Sequence, residues 1–217
     1  AVVLPFEEAI FCAAGAHVRF VGHPLLDAAP AELRREEFCA AHGLDPERPL
    51  LALFPGSRAQ EVARHLEIFV EAAELVRRRH PDVQPVIATS GAVGDRAYDG
   101  APFPRTERSR ALLMHAAAAL VKSGTTTLEA ALAGTPMVIA YRTSGLTYAL
   151  ARRLVRVDHI GLVNLVAGER LVPEFVQDAA TPDALAAALD PLLDPGSPKR
   201  DSVVAGLERV RAALAPT

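Results

Sequence analysis

Continuous apolar runs alternate with amphipathic stretches along most of this sequence. Leu50–Phe54 is an uninterrupted apolar run of the length expected for a parallel strand covered on both faces. The stretch after it has apolar residues every three or four positions, which predicts a helix from about Gln60 to Arg79. The same reasoning predicts further strands at Val83–Thr89, Ala118–Val121 and Met137–Ala140, and further helices at Ala31–His42, Glu107–Ala116, Thr125–Ala133, Leu146–Val155, Leu171–Gln177, Pro182–Leu193 and Val203–Leu214. This alternation predicts an α/β fold with a doubly wound, mainly parallel sheet.

Two segments between these elements lack a helical period. Ser90–Arg105 is rich in Gly, Pro and Asp and is predicted to be a loop, and Ile160–Asn164 is predicted to be short and extended.

The first residues form a small unit of their own. Val2–Leu4 and His17–Val21 are predicted strands on either side of a helix that begins at Pro5 and ends before Gly15. This β-α-β piece is too small for a separate core, and the break at Gly22-His23-Pro24 follows it. We therefore expect residues 1–27 to be the tail of another domain plus a linker, and residues 28–217 to be one nucleotide-binding domain. The missing initiator Met also suggests a piece of a longer chain.

The amino-acid composition argues against several classes of function. Half of the 217 residues are hydrophobic, which indicates a globular chain, and the formal charge of −3 argues against nucleic acid as a partner. Cys12 and Cys39 are isolated thiols, so a reducing, cytoplasmic setting is favoured over a disulfide or a metal site. His23, His115 and His159 share no metal-ligand spacing either, so no metal is predicted. We find no signal peptide and no apolar run near the roughly 18 residues that span a bilayer.

A strand, a turn of small residues and a helix follow one another between Ala118 and Ala133. The turn, Ser123-Gly124-Thr125, opens the helix with unpaired N–H groups, small hydroxyls and the positive end of the helix dipole. Such a point binds anions, and phosphate is the usual occupant. Ser, Thr and Gly also cap helices for purely structural reasons, so this stretch alone does not establish a ligand.

Three short polar segments fall at predicted strand ends. They are Pro55-Gly56-Ser57-Arg58, Ser123-Gly124-Thr125 and Tyr141-Arg142. Ligands of doubly wound sheets bind outside the carboxyl ends of the strands, and two helix N-termini with two arginines suit a diphosphate. The sequence has neither the G-x-x-x-x-G-K-[ST] pattern of P-loop enzymes nor a G-x-G-x-x-G after a strand, which argues against those nucleotide sites.

Glu129 lies about one turn into the helix that Ser123-Gly124-Thr125 opens. From there a carboxylate could reach past a phosphate to the vicinal hydroxyls of a ribose. A glutamate in the first turn also stabilises a helix through its dipole. The physics of the helix favours neither ribose binding nor this structural role.

Taken together, these residues resemble the lipid-A-disaccharide synthase family, glycosyltransferase family 19. The resemblance follows the order and spacing of motifs along nearly the whole chain. The matching motifs are Leu4–Glu7, Val21–Asp27, Pro55–Arg58 with Glu61-Val62, Ser123–Thr125 with Thr127-Leu128-Glu129, Pro136–Val138 with Tyr141-Arg142, and Asn164-Leu165 with Ala167-Gly168.

The resemblance implies the C-terminal, donor-binding half of a two-domain GT-B glycosyltransferase that inverts configuration and needs neither metal nor cofactor. The implied reaction joins UDP-2,3-diacylglucosamine to 2,3-diacylglucosamine 1-phosphate and releases UDP. Arg58 would be the one catalytic residue in this half of the enzyme, and it would stabilise the negative charge of the leaving group. The residues implied at the donor nucleotide are Gly56, Ser57, Arg58, Ser123, Gly124, Thr125, Thr126, Glu129, Tyr141, Arg142 and Asn164.

The family also implies a lipid monosaccharide as acceptor and a cytoplasmic enzyme at the inner face of the inner membrane. A stripe of Leu146, Leu150 and Leu154 beside arginines 152, 153 and 156 could meet a membrane surface, although core packing of the leucines with exposed arginines is the favoured interpretation.

The chain departs from the family pattern in ways that limit this implication. The N-terminal domain, with the acceptor site and the expected catalytic base, is missing, the Ser90–Arg105 loop is short and the chain stops early at Thr217. We therefore expect no turnover from these residues alone. A UDP-N-acetylglucosamine 2-epimerase-like enzyme and a nucleotide-sugar-binding module without chemistry remain alternatives.

Overall fold

The computed structural model describes residues 1–27, 33–144 and 159–216. In these ranges the strands are β1 Leu50–Phe54, β2 Gln84–Ala88, β3 Arg105–Thr106, β4 Ala116–Lys122, β5 Met137–Tyr141 and β6 Glu174–Val176. The helices are α1 Pro5–Ala13, α2 Arg35–Ala41, α3 Ala59–Arg79, α4 Ser109–His115, α5 Thr126–Ala133, α6 Leu162–Ala167, α7 Pro182–Leu193 and α8 Pro198–Ala213. Single 3-10 turns lie at Pro24–Leu26, Asp95–Tyr98 and Gln177–Ala179.

The described strands form one parallel sheet, in the order β3-β2-β1-β4-β5-β6. The chain first builds outward from β1 to β3 and then resumes at β4 on the other side of β1. The predicted α/β, doubly wound architecture is confirmed. In such a sheet the order of strands reverses between β1 and β4, and a crevice opens beyond their carboxyl ends.

The centre of the sheet is buried because its strands are apolar throughout. Every residue of β1 is buried, and Leu53 pairs with Leu120 of β4. Helix α3 packs against α7, which also contacts β4 and β5, while α5 contacts α4, α6 and α8. The two helix groups cover the sheet and leave the strand ends as the place where polar groups meet.

Two predictions for the C-terminal third were wrong. Ile160–Asn164 was expected to be extended, but helix α6 begins at Leu162 and ends at Ala167, and Gly168 after it adopts a left-handed φ of 68°. Leu171–Gln177 was expected to be helical, but Glu174–Val176 forms strand β6, which pairs with β5 from Ile139 onward. Pairing with an existing sheet edge outweighed the local helical pattern, as tertiary contacts commonly do.

The Glu174 carboxylate binds the backbone that leads into α6. It accepts the N–H groups of Ile160 (3.0 Å) and Gly161 (2.8 Å), which lie just before the helix. It also accepts the side-chain amide of buried Asn164 at 2.8 Å. The same amide bonds both the N–H and the carbonyl of Val172, so this one side chain ties α6 to the segment that leads into β6.

Most other predicted elements in the described ranges lie close to their expected positions, but the strands expected at Val2–Leu4 and His17–Val21 form only a single bridge, and the helix expected from Val203 begins at Pro198. The Ser90–Arg105 loop contains the 3-10 turn Asp95–Tyr98, whose buried Tyr98 hydroxyl accepts the Ser90 N–H at 3.2 Å. The helix expected over Ala31–His42 is observed from Arg35 to Ala41. The predicted helix Leu146–Val155, with the leucine and arginine stripe, lies outside the described residues.

The first residues pack on the rest of the chain. Val2 forms a single parallel bridge with Phe20 around α1, and the His23 N–H donates to the Leu214 carbonyl at 3.0 Å. Helix α1 buries no residue, and 61% of Ile10 is exposed. The division near residue 27 stays a prediction.

Replacing Asn164 with alanine should lower the free energy of unfolding by about 2–4 kcal/mol, because it leaves the buried polar groups of Val172 unpaired. Urea denaturation measures this, and Gln60→Ala, an amide removed from an exposed helical position, is the control. A loss for Asn164→Ala as small as that of the control would contradict this role.

Candidate functional site

A cleft of about 420 Å³ lies where β1, β2 and β4 end. Three turns supply its walls, each following one of these strands. The lining residues are Phe54, Gly56, Ser57, Glu61, Ala88, Thr89, Ser90, Gly91, Glu107, Ser109, Lys122, Gly124, Thr125, Thr126 and Glu129. The cleft is therefore at the switch point of the sheet, where this architecture binds ligands.

The N-terminus of α5 forms one wall. The N–H of Thr127 and its hydroxyl both bond the Gly124 carbonyl, and the N–H of Leu128 bonds the Thr125 carbonyl. The N–H groups of Gly124, Thr125 and Thr126 have no acceptor among the described residues. Three unpaired donors at the positive end of a helix dipole make this wall suitable for an anion.

The turn after β1 forms the opposite wall, and it depends on Gly56. Gly56 has a φ of 136°, and a Cβ built there would lie 2.4 Å from the Cβ of Glu61. Because glycine has no Cβ, Glu61 can fold back beneath the turn, where its Oε2 accepts the Ser57 N–H at 3.0 Å.

Glu61 links the two walls. Its Oε1 accepts a hydrogen bond from the Lys122 ammonium at 2.8 Å and contacts the Arg58 guanidinium at 3.3 Å. The Glu61 and Lys122 side chains are only 15% and 16% exposed. Burial alone would raise the pKa of the Glu61 carboxyl, but the Lys122 hydrogen bond, the Ser57 N–H and the Arg58 charge outweigh burial and lower it. Glu61 is therefore a carboxylate at neutral pH.

His65, one turn further along α3, connects this network to the end of β5. It is fully buried, and its Nε2 accepts the Arg142 N–H at 2.9 Å. Nε2 must therefore be unprotonated, so Nδ1 carries the proton and donates to the Glu61 carbonyl at 2.8 Å. Burial lowers the pKa of His65, which keeps the ring neutral.

The structure brings most of the predicted donor residues to the cleft but not all of them. Gly56, Ser57, Gly124, Thr125, Thr126 and Glu129 line it. Arg58 is not a lining residue; 81% of its side chain is exposed, and Glu61 is its bonded partner in the described structure.

The remaining predicted residues lie beside the cleft and have structural partners. The Ser123 hydroxyl donates to the Ile160 carbonyl at 3.1 Å, and the Arg142 guanidinium donates to the Ala180 carbonyl at 2.8 Å. Asn164 is buried in the α6–β6 junction described above. The Tyr141 ring lies 5.7 Å from the Lys122 ammonium. Nucleotide contacts by these residues stay a prediction.

Sequence reasoning assigned no role to Lys122, Glu107, Ser109 or the Thr89–Gly91 turn, and quoted Glu61 only as part of a family motif. Their positions in the sequence could have identified two of them. Lys122 directly precedes Ser123-Gly124-Thr125 at a strand end, and Thr89 directly follows β2.

Two of the three histidines that were considered as metal ligands have other partners. His23 accepts the Leu25 N–H at 3.2 Å, and His115 Nε2 lies 2.9 Å from the Leu33 carbonyl. In the described ranges, no three or more His, Cys, Asp or Glu side chains are grouped to hold a metal ion. Nor is any helix in this part of the chain both long and apolar enough to cross a membrane.

The fold is that of the GT-B class. It resembles a UDP-GlcNAc 2-epimerase of Methanocaldococcus jannaschii solved with UDP-GlcNAc and UDP, with a TM-score of 0.53 and 11% identity over 97% of this chain and 59% of the other. It also resembles a calicheamicin glycosyltransferase, with a TM-score of 0.51 and 22% identity over 79% of this chain and 40% of the other. Identities this low establish a common fold and no more.

Sequence comparison identifies the family. The profile of the lipid-A-disaccharide synthetase family matches residues 1–214. Curated lipid-A-disaccharide synthases of Geobacter metallireducens and Acidobacterium capsulatum are 43% and 39% identical, over 99% and 98% of this chain. The chain belongs to the lipid-A-disaccharide synthetase family. It spans 57% of the length of each of these relatives.

Replacing Gly56 with alanine should lower the free energy of unfolding by about 1–3 kcal/mol, because the new Cβ meets both an unfavourable φ and the Glu61 side chain. Gly94→Ala is the matched control, since Gly94 has a φ of −59° and open space at its Cβ position. Equal stabilities of the two variants in urea denaturation would contradict the proposed need for glycine.

His65 should make stability fall as the pH drops from 7.5 to 5.5. Its pKa is lowered in the folded state, so below about 6.5 the unfolded chain takes up a proton that the folded chain does not. The carboxyl of Glu61, whose folded pKa is lowered below 4.5, titrates beneath this window. His65→Gln should flatten the dependence, measured as the urea midpoint against pH, and exposed His17→Gln is the control. An unchanged slope in His65→Gln would refute the assignment.

Proposed function

We propose that this chain supplies the UDP-donor half of a lipid-A-disaccharide synthase. The complete enzyme would join UDP-2,3-diacylglucosamine to 2,3-diacylglucosamine 1-phosphate and release UDP. Family membership supports the reaction class, and the observation that carries the donor assignment is the cleft at the switch point between β1 and β4.

The diphosphate would bind at the N-terminus of α5. Gly124, Thr125 and Thr126 line the cleft there, and their N–H groups have no acceptor in the described part of the chain, so this positive end of the helix dipole suits a phosphate. Arg58 is exposed beside the cleft and bonded only to Glu61 among the described residues, so its guanidinium can turn toward a phosphate oxygen. Ser57 and Gly56 would close the opposite side.

Glu129 would bind the ribose. It lines the same cleft one turn beyond Thr125, and its carboxylate can accept two hydrogen bonds from vicinal hydroxyls. Ser123, Tyr141, Arg142 and Asn164 would act mainly by holding the loops around the nucleotide, since three of them already have backbone partners.

In the proposed transfer an acceptor hydroxyl oxygen bonds to C1 of the donor sugar from the face opposite UDP, while the bond from C1 to the phosphate oxygen breaks. Negative charge grows on the departing diphosphate, and fixed donors that are already oriented toward it lower the barrier. The α5 N–H groups and Arg58 would supply that stabilisation. The base that takes the acceptor's proton would come from sequence outside these residues, as would the site for the lipid acceptor.

We further propose that residues 28–217 form the UDP-binding domain, with residues 1–27 as the end of the preceding domain. Because both substrates carry acyl chains, the whole enzyme would work in the cytoplasm against the inner face of the inner membrane.

An epimerase acting on UDP-N-acetylglucosamine is the second candidate. The observation in its favour is the likeness to the epimerase of Methanocaldococcus jannaschii over nearly the whole chain. The identity of 11% to that protein against 43% to a curated synthase favours the synthase.

Calorimetric titration of UDP and of uridine into the 217-residue chain tests the donor assignment. Arg58→Ala should weaken UDP binding about tenfold to a hundredfold and leave uridine unchanged, because only UDP carries the diphosphate. Glu129→Ala should weaken both ligands by a similar factor, because both carry the ribose.

Arg211→Ala and Glu208→Ala are matched controls on the exposed surface of α8. A wild-type chain that is folded but does not bind UDP would refute the donor assignment. Disaccharide formation by these residues alone would refute the placement of the base and the acceptor site elsewhere.

A further inference from the structure

Lys122 lies between two of the turns that line the cleft, the one after β1 and the one after β4. It is the last residue of β4 and one of the residues that line the cleft. The side chain folds back over the next turn, so that the ammonium would be 3.7 Å from a Cβ at Gly124. On its other side the ammonium contacts Glu61 of α3 at 2.8 Å. The cation therefore lies next to both walls at once.

The Lys122 ammonium is not saturated by the protein. It has three N–H donors, and the Glu61 carboxylate is its one hydrogen-bond acceptor in the described part of the chain. The Tyr141 ring lies 5.7 Å away, at the limit of a cation–π contact. Two donors therefore have no acceptor among the described residues, and oxygen atoms of a ligand in the cleft could accept them.

The charge of the cleft makes such a cation necessary for an anionic ligand. Among the residues that the structure describes, the lining contains Glu61, Glu107 and Glu129 and one cation, Lys122, which gives these four side chains a formal charge of −2. A diphosphate adds further negative charge. It would be repelled unless cations and helix N-termini contact it directly.

We propose that Lys122 binds the diphosphate of the nucleotide directly, sharing its ammonium between Glu61 and the phosphate oxygens. This inference rests on the proposed function and adds to it a binding residue that the family resemblance did not identify. Glu61 holds the ammonium at the α5 N-terminus, so the cation is in place before the ligand arrives.

A purely structural role makes a different prediction. If Lys122 only neutralised Glu61 and thereby held the turn after β1, removing the Glu61 charge would make Lys122 dispensable. If Lys122 contacts phosphate, it remains necessary when Glu61 is uncharged. The comparison of Glu61→Gln with the double variant Glu61→Gln/Lys122→Met therefore separates the two roles, and the double variant leaves no unpaired buried carboxylate that would endanger folding.

The experiment is calorimetric titration of UDP and uridine into the 217-residue chain, with thermal unfolding to confirm that each variant is folded. Lys122→Met should weaken UDP binding about tenfold or more, the usual effect of losing a charged hydrogen bond, and leave uridine unchanged. The double variant should bind UDP more weakly than Glu61→Gln by a similar factor. Lys122→Arg should recover part of the affinity.

Lys199→Met is the matched control, since Lys199 is the other lysine of the chain and is exposed on α8. Wild-type affinity for UDP in Lys122→Met, or equal affinities of Glu61→Gln and the double variant, would overturn this inference while the donor assignment stands. A wild-type chain that does not bind UDP would overturn both.

Discussion

The ion pair between Glu61 and Lys122 is the contact on which the cleft depends. It joins the turn after β1 to the end of β4, the two places where the sheet order reverses. Pairing two largely buried charges requires good geometry and further hydrogen bonds, because the cost of desolvation is high. The Ser57 N–H supplies one such bond, and Gly56 makes room for it. The shape of the cleft therefore depends on the Glu61 carboxylate and on the absence of a Cβ at Gly56.

Behind this pair, buried and half-buried polar side chains fix the positions of the loops. Neutral His65 connects α3 to the residue after β5, and Glu174 with Asn164 fixes the start of α6. These groups contact backbone atoms and not the cleft. The structure thus separates the residues that hold the loops from the N–H groups and cations that are left for a ligand, which is the preorganisation that electrostatic binding of a diphosphate needs.

The sequence predicted the central elements well because their patterns are strong and local. Leu50–Phe54 is a strand with the predicted bounds, and α3 differs by one residue from its predicted start. The errors at Ile160–Asn164 and Leu171–Gln177 arose because sheet pairing and the Glu174 carboxylate act between segments. Position in sequence placed Gly124 and Glu129 at the cleft, but the partner of Ser123 could be known only from the folded chain.

Binding of the diphosphate at the N-terminus of α5 can be tested directly by a two-dimensional amide NMR titration of the isotopically labelled chain with UDP. We predict that the largest shifts fall on the N–H groups of Gly124, Thr125 and Thr126, which gain phosphate acceptors. A smaller response is expected at Ser57, whose N–H already donates to Glu61. Binding of UDP with these amides unchanged, and with the shifts concentrated on another surface, would contradict this binding mode.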